Sequence, residues 1–450
     1  MNKKINNFSL FYIVILVFSV FVTNEIQNIS IIFSLLILNV LLYRHLKVDK
    51  PIICLLGILL TILFVITVYI QYYNAINLGF HDGNLFGKIG GNFYADTKNY
   101  YDESQQLMEV FSGGSFGYWL SGEFPHFGFF GPYNAYNILN AILISIFGSN
   151  LLTLILLKLK FSILSYYLLY KIANRYLNSK WAIFSTMLYN LYPANILVVS
   201  TLSRDNINSF LVILLCYYCI LFAEDKFNYK VKYITKILIT SILLFLFRSY
   251  AAPITILSLF FTYFLSEKQS VKKYFLGIGL IIIAFIGCYI YGFENVQGKL
   301  TLNDGTQSWI TERSKGWNLL IYSAFYAFFG QTTIMENYDL SVFSESLNVF
   351  SFYYQNYILM FSFLGVALLL FVKKRKIDNQ IWLFCCIMPM LFIILITSVY
   401  GLPIPRLYNM WIWLNCILIG IVINKVKEKL LFLGLISSGF IVILFGFLMK

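Results

Sequence analysis

Residues 51–72 read PIICLLGILLTILFVITVYIQY, twenty-two residues without a charge. Wound as a helix the stretch is about 33 Å long, enough to cross a hydrocarbon core of about 30 Å. Only a helix or a closed barrel satisfies its own backbone there, and a continuous apolar run with no alternation is helical. Apolar windows of similar length recur near 8–24, 28–45, 150–172, 181–199, 203–222, 232–248, 250–266, 274–292, 351–372, 381–399, 405–423 and 430–448. The expected fold is therefore an all-α polytopic membrane protein of about thirteen transmembrane helices. Two long interruptions stand at 73–149 and 293–350. Composition agrees, with 59% hydrophobic and 12% charged residues, against about a quarter charged in soluble domains.

A fourteenth apolar run, 133–147, is short for a span and suits a re-entrant or membrane-surface helix. Charge decides its reading. If it does not cross, the basic clusters at 3–4, 44–50, 171–180, 226–236, 268–273, 373–376 and 425–429 share one side, and they hold 22 of the 33 Lys and Arg residues. The positive-inside rule then puts the N-terminus in the cytoplasm and the C-terminus outside. It also accounts for the net charge of +13 without nucleic acid, since no basic face or aromatic-basic module accompanies the clusters. Lys3 and Lys4 precede the first apolar run in the manner of a signal peptide, but no small-residue cleavage site follows, so that run is read as a retained span. The seven cysteines all lie in apolar runs, which predicts no disulfide framework. Cys216 and Cys219 have no companion ligands and read as packing.

Both long interruptions lie outside in this layout. The first has six acids and two lysines, the second six acids and three basic residues, and both are rich in aromatics. Folded extracytoplasmic structure is expected in each. Charges near span ends on that same side need a reason. They are Lys158, Lys160, Arg204, Asp205, Arg248 and Arg406. Snorkelling toward headgroups explains any one of them, and Arg204 with Asp205 could form a local ion pair. Their convergence beneath two folded loops points instead to an anion site.

The first loop contains GGNFYADTKNYYDESQQLMEVFSGG (90–114), with Asp96 four residues before Tyr100, and continues into PHFGFFGPYNAYNILNAILISIFGSN (125–150). Further along come LYPANILVVSTLSRDNINSFL (191–211), LFRSYAAP (246–253) and GLPIPRLYNMWIWL (401–414). This order of elements resembles the GT-C glycosyltransferases, in particular the family related to protein O-mannosyltransferases and lipid A aminoarabinose transferases. The resemblance covers most of residues 51–425, leaving 1–50 as two additional N-terminal helices and 426–450 as a C-terminal one. It implies a sugar donor on polyprenyl phosphate, with a glycan, lipid or protein acceptor on the extracytoplasmic face. It implies Asp96 as the catalytic base of an inverting transfer, and a lipid-phosphate site drawn from Arg248, Arg406, Lys158 and Lys160.

Family members commonly carry an acid directly after the Asp. Here Thr97 follows, so no motif supports a divalent metal or another cofactor, and Asp102 and Glu103 remain rival bases. Read without the resemblance, Asp96 is equally a cap on the helix that follows. Tyr100 would pack in the site or hydrogen-bond the carboxylate. His81 and His126 are isolated and read as structural. Two other functions fit the same layout: a polymerase of undecaprenyl-diphosphate-linked repeat units, and a lipid-linked-sugar flippase or transporter. Transporters show duplicated halves and mid-bilayer charges, whereas the unusual charges here gather on one face.

Overall fold

The computed structural model describes residues 2–22, 24–77, 95–113, 134–224, 230–248, 251–266, 343–367 and 405–425, with Gly434 and Ser437 in addition. All regular structure among the described residues is helical. Four helices are long and apolar enough to cross a membrane, Glu25–His45, Pro51–Tyr73, Leu151–Tyr176 and Asp205–Phe222, or five if one broken pair counts as a single span. The chain is a membrane protein. The expected spans at 274–292 and 381–399 lie outside the described residues, as do all but Gly434 and Ser437 of 430–448, His81, His126 and most of the second long loop.

The chain divides into two compact units. The first comprises Met1–Ile172, Pro193–Arg248 and Asn337–Asn348. It contains α1 (Asn2–Phe21), α2 (Asn24–His45), α3 (Pro51–Asn77), α4 (Ala95–Ser112), α5 (Asn134–Phe147) and most of α6 (Leu151–Tyr176). The second comprises Ala173–Tyr192, Ser249–Glu336 and Val349–Lys450, and includes α7 (Ser179–Asn190). The chain then re-enters the first unit with α8 (Pro193–Val199), α9 (Asp205–Glu224) and α10 (Lys230–Phe247). The second unit continues with α11 (Ala251–Ser266), the larger part of α12 (Phe343–Ala367), α13 (Pro405–Tyr408) and α14 (Ile412–Lys425).

Local chemistry explains the boundaries. Val48 N–H donates to Tyr43 O and Lys47 N–H to Arg44 O, closing α2 with Lys47 in the left-handed region at φ 48°; Pro51 then opens α3, where its missing N–H costs nothing. Gly148, at φ 84°, ends α5 and donates to Ile144 O. Asn150 Oδ1 accepts the Leu152 and Thr153 amides at 2.9 and 3.4 Å and so caps α6. The tetrapeptide Phe147-Gly148-Ser149-Asn150 is thus a stop followed by a start.

Two expectations are revised. The run at 181–199 is not one continuous helix; it breaks after Asn190, and Pro193 begins α8, because the proline ring cannot sit inside a helix without clashing with the carbonyl four residues back. The helix expected from 351 begins eight residues earlier, at Phe343, inside the segment read as loop.

In the first unit, α2, α3 and α6 approach closely where Gly57 faces them: an added Cβ there would lie 2.6 Å from Asn39 Oδ1 and 3.0 Å from the Tyr167 hydroxyl. Small residues at such crossings let polar groups pair inside the membrane, and Asn39 Nδ2 donates to Thr61 Oγ1 at 2.9 Å. In the second unit, Gly420 of α14 has the same role against α7, where a notional Cβ would run into Ser185 Oγ. Tyr192 stacks on Tyr354 and donates to Gln355 Oε1, while Tyr408 donates to Asn415 Oδ1 and Asn415 to Ser362 Oγ.

The first unit has two chemically distinct ends. At one, Tyr166 of α6 donates to Ile53 O, and Lys171 Nζ to Lys47 O at 3.4 Å, which gathers the 44–50 and 171 basic positions. At the other, Gln27 Nε2 bridges Ser19 O and Phe147 O, and Thr153 Oγ1 donates to Asn28 Oδ1. The turn from α1 to α2, the end of α5 and the start of α6 therefore share that end.

Candidate active site

α4 and α5 form a helical pair. Tyr100 meets Tyr136 edge-on, with ring centroids 5.0 Å apart at 82°. Glu103 accepts from Asn137 Nδ2, and Leu107 is buried with Ala141, flanked by Met108, Val110 and Ile138. The spacing of 100, 103 and 107 against 136, 137 and 141 is one helix face on another. Tyr101 donates to Ser149 O, fixing α4 to the turn after α5. Asp96 stands in the first turn of α4, four residues before Tyr100.

The pair rests on the ends of α9 and α10. Tyr136 meets Phe247 at 6.5 Å, and the Arg204 guanidinium carbon lies 5.9 Å from the centre of the Tyr100 ring. Arg204 Nη1 donates to Phe247 O at 3.2 Å. Arg248 Nη1, next in the chain, donates to Asp205 Oδ1 in an ion pair buried on both sides. Asp205 Oδ2 accepts from Ser203 Oγ at 3.0 Å, and the Asp205 amide donates back to that hydroxyl at 3.1 Å.

From beneath, α6 holds the turn that carries these residues. Lys158 Nζ donates to Thr201 O and, at 2.6 Å, to Ser203 O. Asn206 Nδ2 donates to Ser162 Oγ at 3.2 Å and to Lys158 O at 3.3 Å. Lys158 is thus a strut that pins the 201–203 carbonyls. Lys160 is two residues on, about 200° round the helix, and lies over the Phe161 ring at 5.5 Å, away from this cluster.

Of the residues singled out in the sequence, Tyr100, Lys158, Arg204, Asp205 and Arg248 come together in one region of the first unit. Asp96 reaches that region through the backbone of α4; its side chain lies outside the described residues, and so does that of Arg406, on α13. Of the rival carboxylates, Glu103 is engaged with Asn137. Sequence reading missed Tyr136, Phe247 and Ser203. The signal for Tyr136 was available: Asn134, Asn137 and Asn140 at helical spacing put a polar stripe on an otherwise apolar short helix. Among the described residues no group of three His, Cys, Asp or Glu could hold a metal ion.

Chemically the cluster offers a planar cation braced on an aromatic ring, beside a buried carboxylate–guanidinium pair. A guanidinium held by ring and carbonyl keeps its fork of donors in one orientation, which suits phosphate oxygens.

Residues 134–291 match the family model described as dolichyl-phosphate-mannose-protein mannosyltransferase, a family of the GT-C glycosyltransferase superfamily. The match begins at the first residue of α5, covers about a third of the chain, and takes in Lys158, Arg204, Asp205 and Arg248. No curated protein and no solved structure matches the chain.

Proposed function

We propose, from the family match and the cluster at the end of α9, that this membrane protein is a glycosyltransferase that moves a sugar from a polyprenyl-phosphate carrier to a hydroxyl of a glycan, lipid or protein. The observation that carries the reading is that α4, which bears Asp96, rests through Tyr100 on the guanidinium of Arg204. Base and phosphate-binding cation then belong to one site. Four residues of helix rise about 6 Å, so Asp96 stands about one turn of α4 from the ring that lies over Arg204.

In this site the acceptor oxygen attacks the anomeric carbon from the face opposite the phosphate. The bond from that carbon to the phosphate oxygen breaks, and the electron pair leaves with polyprenyl phosphate. The acceptor proton passes to Asp96, so the configuration inverts. The first turn of a helix favours a charged carboxylate. Arg204 meets negative charge as it grows on the leaving phosphate, where low dielectric strengthens the interaction. Arg248 is held by Asp205, and Lys158 fixes the turn on which Arg204 stands, so these are positioning residues.

The wider layout belongs to the same proposal. Two helices (1–50) precede a GT-C-like core (51–425) and one C-terminal helix, with about thirteen spans. The loops at 73–149 and 293–350 face out, the N-terminus lies in the cytoplasm and the C-terminus outside.

Purified protein incubated with polyprenyl-phosphate sugars should release polyprenyl phosphate. Asp96→Asn should lower turnover about 100-fold or more with donor binding retained. Release from diphosphate-linked oligosaccharides alone would transfer the reading to a repeat-unit polymerase. Full turnover in Asp96→Asn with collapse in Asp102→Asn would move the base along α4.

A further inference from the structure

We propose that the buried face of α5 reads the hydroxyl groups of the sugar being transferred, through the Tyr136 hydroxyl and the carboxamides of Asn137 and Asn140. The inference rests on the lipid-linked-sugar reading above and names a wall of that same site.

Tyr136, Asn137 and Asn140 are 1%, 0% and 2% exposed, yet the Tyr136 hydroxyl, Asn137 Oδ1 and Asn140 Nδ2 have no hydrogen-bond partner. Buried polar groups in folded proteins are almost always satisfied, and an exception calls for a ligand, a water or a functional reason. Here Tyr136 and Asn140 share one helix face as positions i and i+4, and Asn137 stands about 100° round the helix from Tyr136. Asn140 lies within hydrogen-bonding influence of the Tyr136 hydroxyl, but no bond of ordinary length and angle joins the two. Asn137 already donates from its amide to Glu103, which fixes its rotamer and leaves the carbonyl oxygen without a partner.

The chemistry of the set selects the ligand. A hydroxyl that gives and accepts, an amide donor and an amide acceptor carry no formal charge. An anion would call for donors only, and an isoprenoid tail for none. A polyol needs the mixture, and flat aromatic rings commonly border such sites. Tyr136 lies edge-on to Tyr100 and against Phe247, and is within electrostatic reach of Arg204 and Asp205. Burial holds its hydroxyl protonated far above the ordinary tyrosine range, so it keeps a proton to donate. The wall is therefore next to the group assigned to the phosphate and on the helix packed against the one that bears Asp96.

The test compares two ligands on the full chain: polyprenyl phosphate, and the same lipid carrying a hexose. Tyr136→Phe keeps the ring and removes only the hydroxyl. It should weaken binding of the sugar-bearing lipid about fivefold, the worth of one neutral hydrogen bond, and leave the bare lipid phosphate unchanged. Asn140→Ala should do the same. Equal weakening of both lipids, or of neither, in both variants would overturn the assignment while leaving the donor reading intact. A wild-type protein that binds neither lipid would overturn the donor reading and this assignment with it.

Discussion

Arg204 and Arg248 are both buried and arrive at the same turn, but they have different surroundings. Arg204 lies over Tyr100 and bonds a backbone carbonyl, whereas Arg248 faces the carboxylate of Asp205. Desolvating two ions costs several kcal/mol each, so such a pair adds little net stability, but removing one partner strands the other and costs about 3–5 kcal/mol. Asp205→Ala and Arg248→Ala should each lower the unfolding midpoint in detergent strongly. The double variant should regain most of that loss, since no unpaired charge remains. A double variant as unstable as the sum of the singles would mean that each residue acts through separate contacts. The partner of Asp205 was not legible from sequence. Its neighbour Arg204 is adjacent in the chain, while Arg248 is 43 positions away, and local spacing carries no information about which helix ends meet.

At the scale of elements, the pairing of α4 with α5 is what brings the proposed base toward the proposed phosphate-binding cation. Its buried core is Leu107 with Ala141, both with almost no exposure. Ala141→Leu adds volume where there is no room, at a cost of about 1–3 kcal/mol. The two helices should part there, and turnover should fall more than donor binding, because Asp96 moves and Arg204 does not. Unchanged turnover would show that the base is not set by this contact. Much of the element pattern could be read in advance. Gly148 and Asn150 mark a stop and a start in four letters, and the short apolar run before them marks a helix too brief to cross. The break ahead of Pro193 was also written in the sequence, but a hydropathy window averages across a proline and so runs two helices into one span.

For the whole molecule, the decisive property is which end of the first unit faces out. α5 begins beside Phe247, near the Arg204 turn, and ends beside Gln27 and Thr153. Lys158, which supports that turn, is only seven residues into α6, about 10 Å along its axis. Both ends of α5 therefore stay in the starting half of α6, which is 26 residues long and extends about 39 Å. A helix so placed keeps both its ends at one end of the unit, and the basic positions stay grouped at the other: Lys171 reaches Lys47 there. In the proposed topology the positive-inside rule makes that far end cytoplasmic and the Asp96 end extracytoplasmic, where nucleotide sugars are absent and a lipid carrier is needed. Ser112→Cys, exposed at the end of α4, and Asp49→Cys, exposed in the turn before α3, probe the two ends directly. An impermeant maleimide should label Ser112→Cys in intact cells and Asp49→Cys only after permeabilisation, each measured against the wild type. The reverse pattern would put the basic clusters outside and Asp96 in the cytoplasm, and a lipid-linked donor would lose its physical rationale. Labelling of both from one side would contradict the two-ended arrangement of the unit itself.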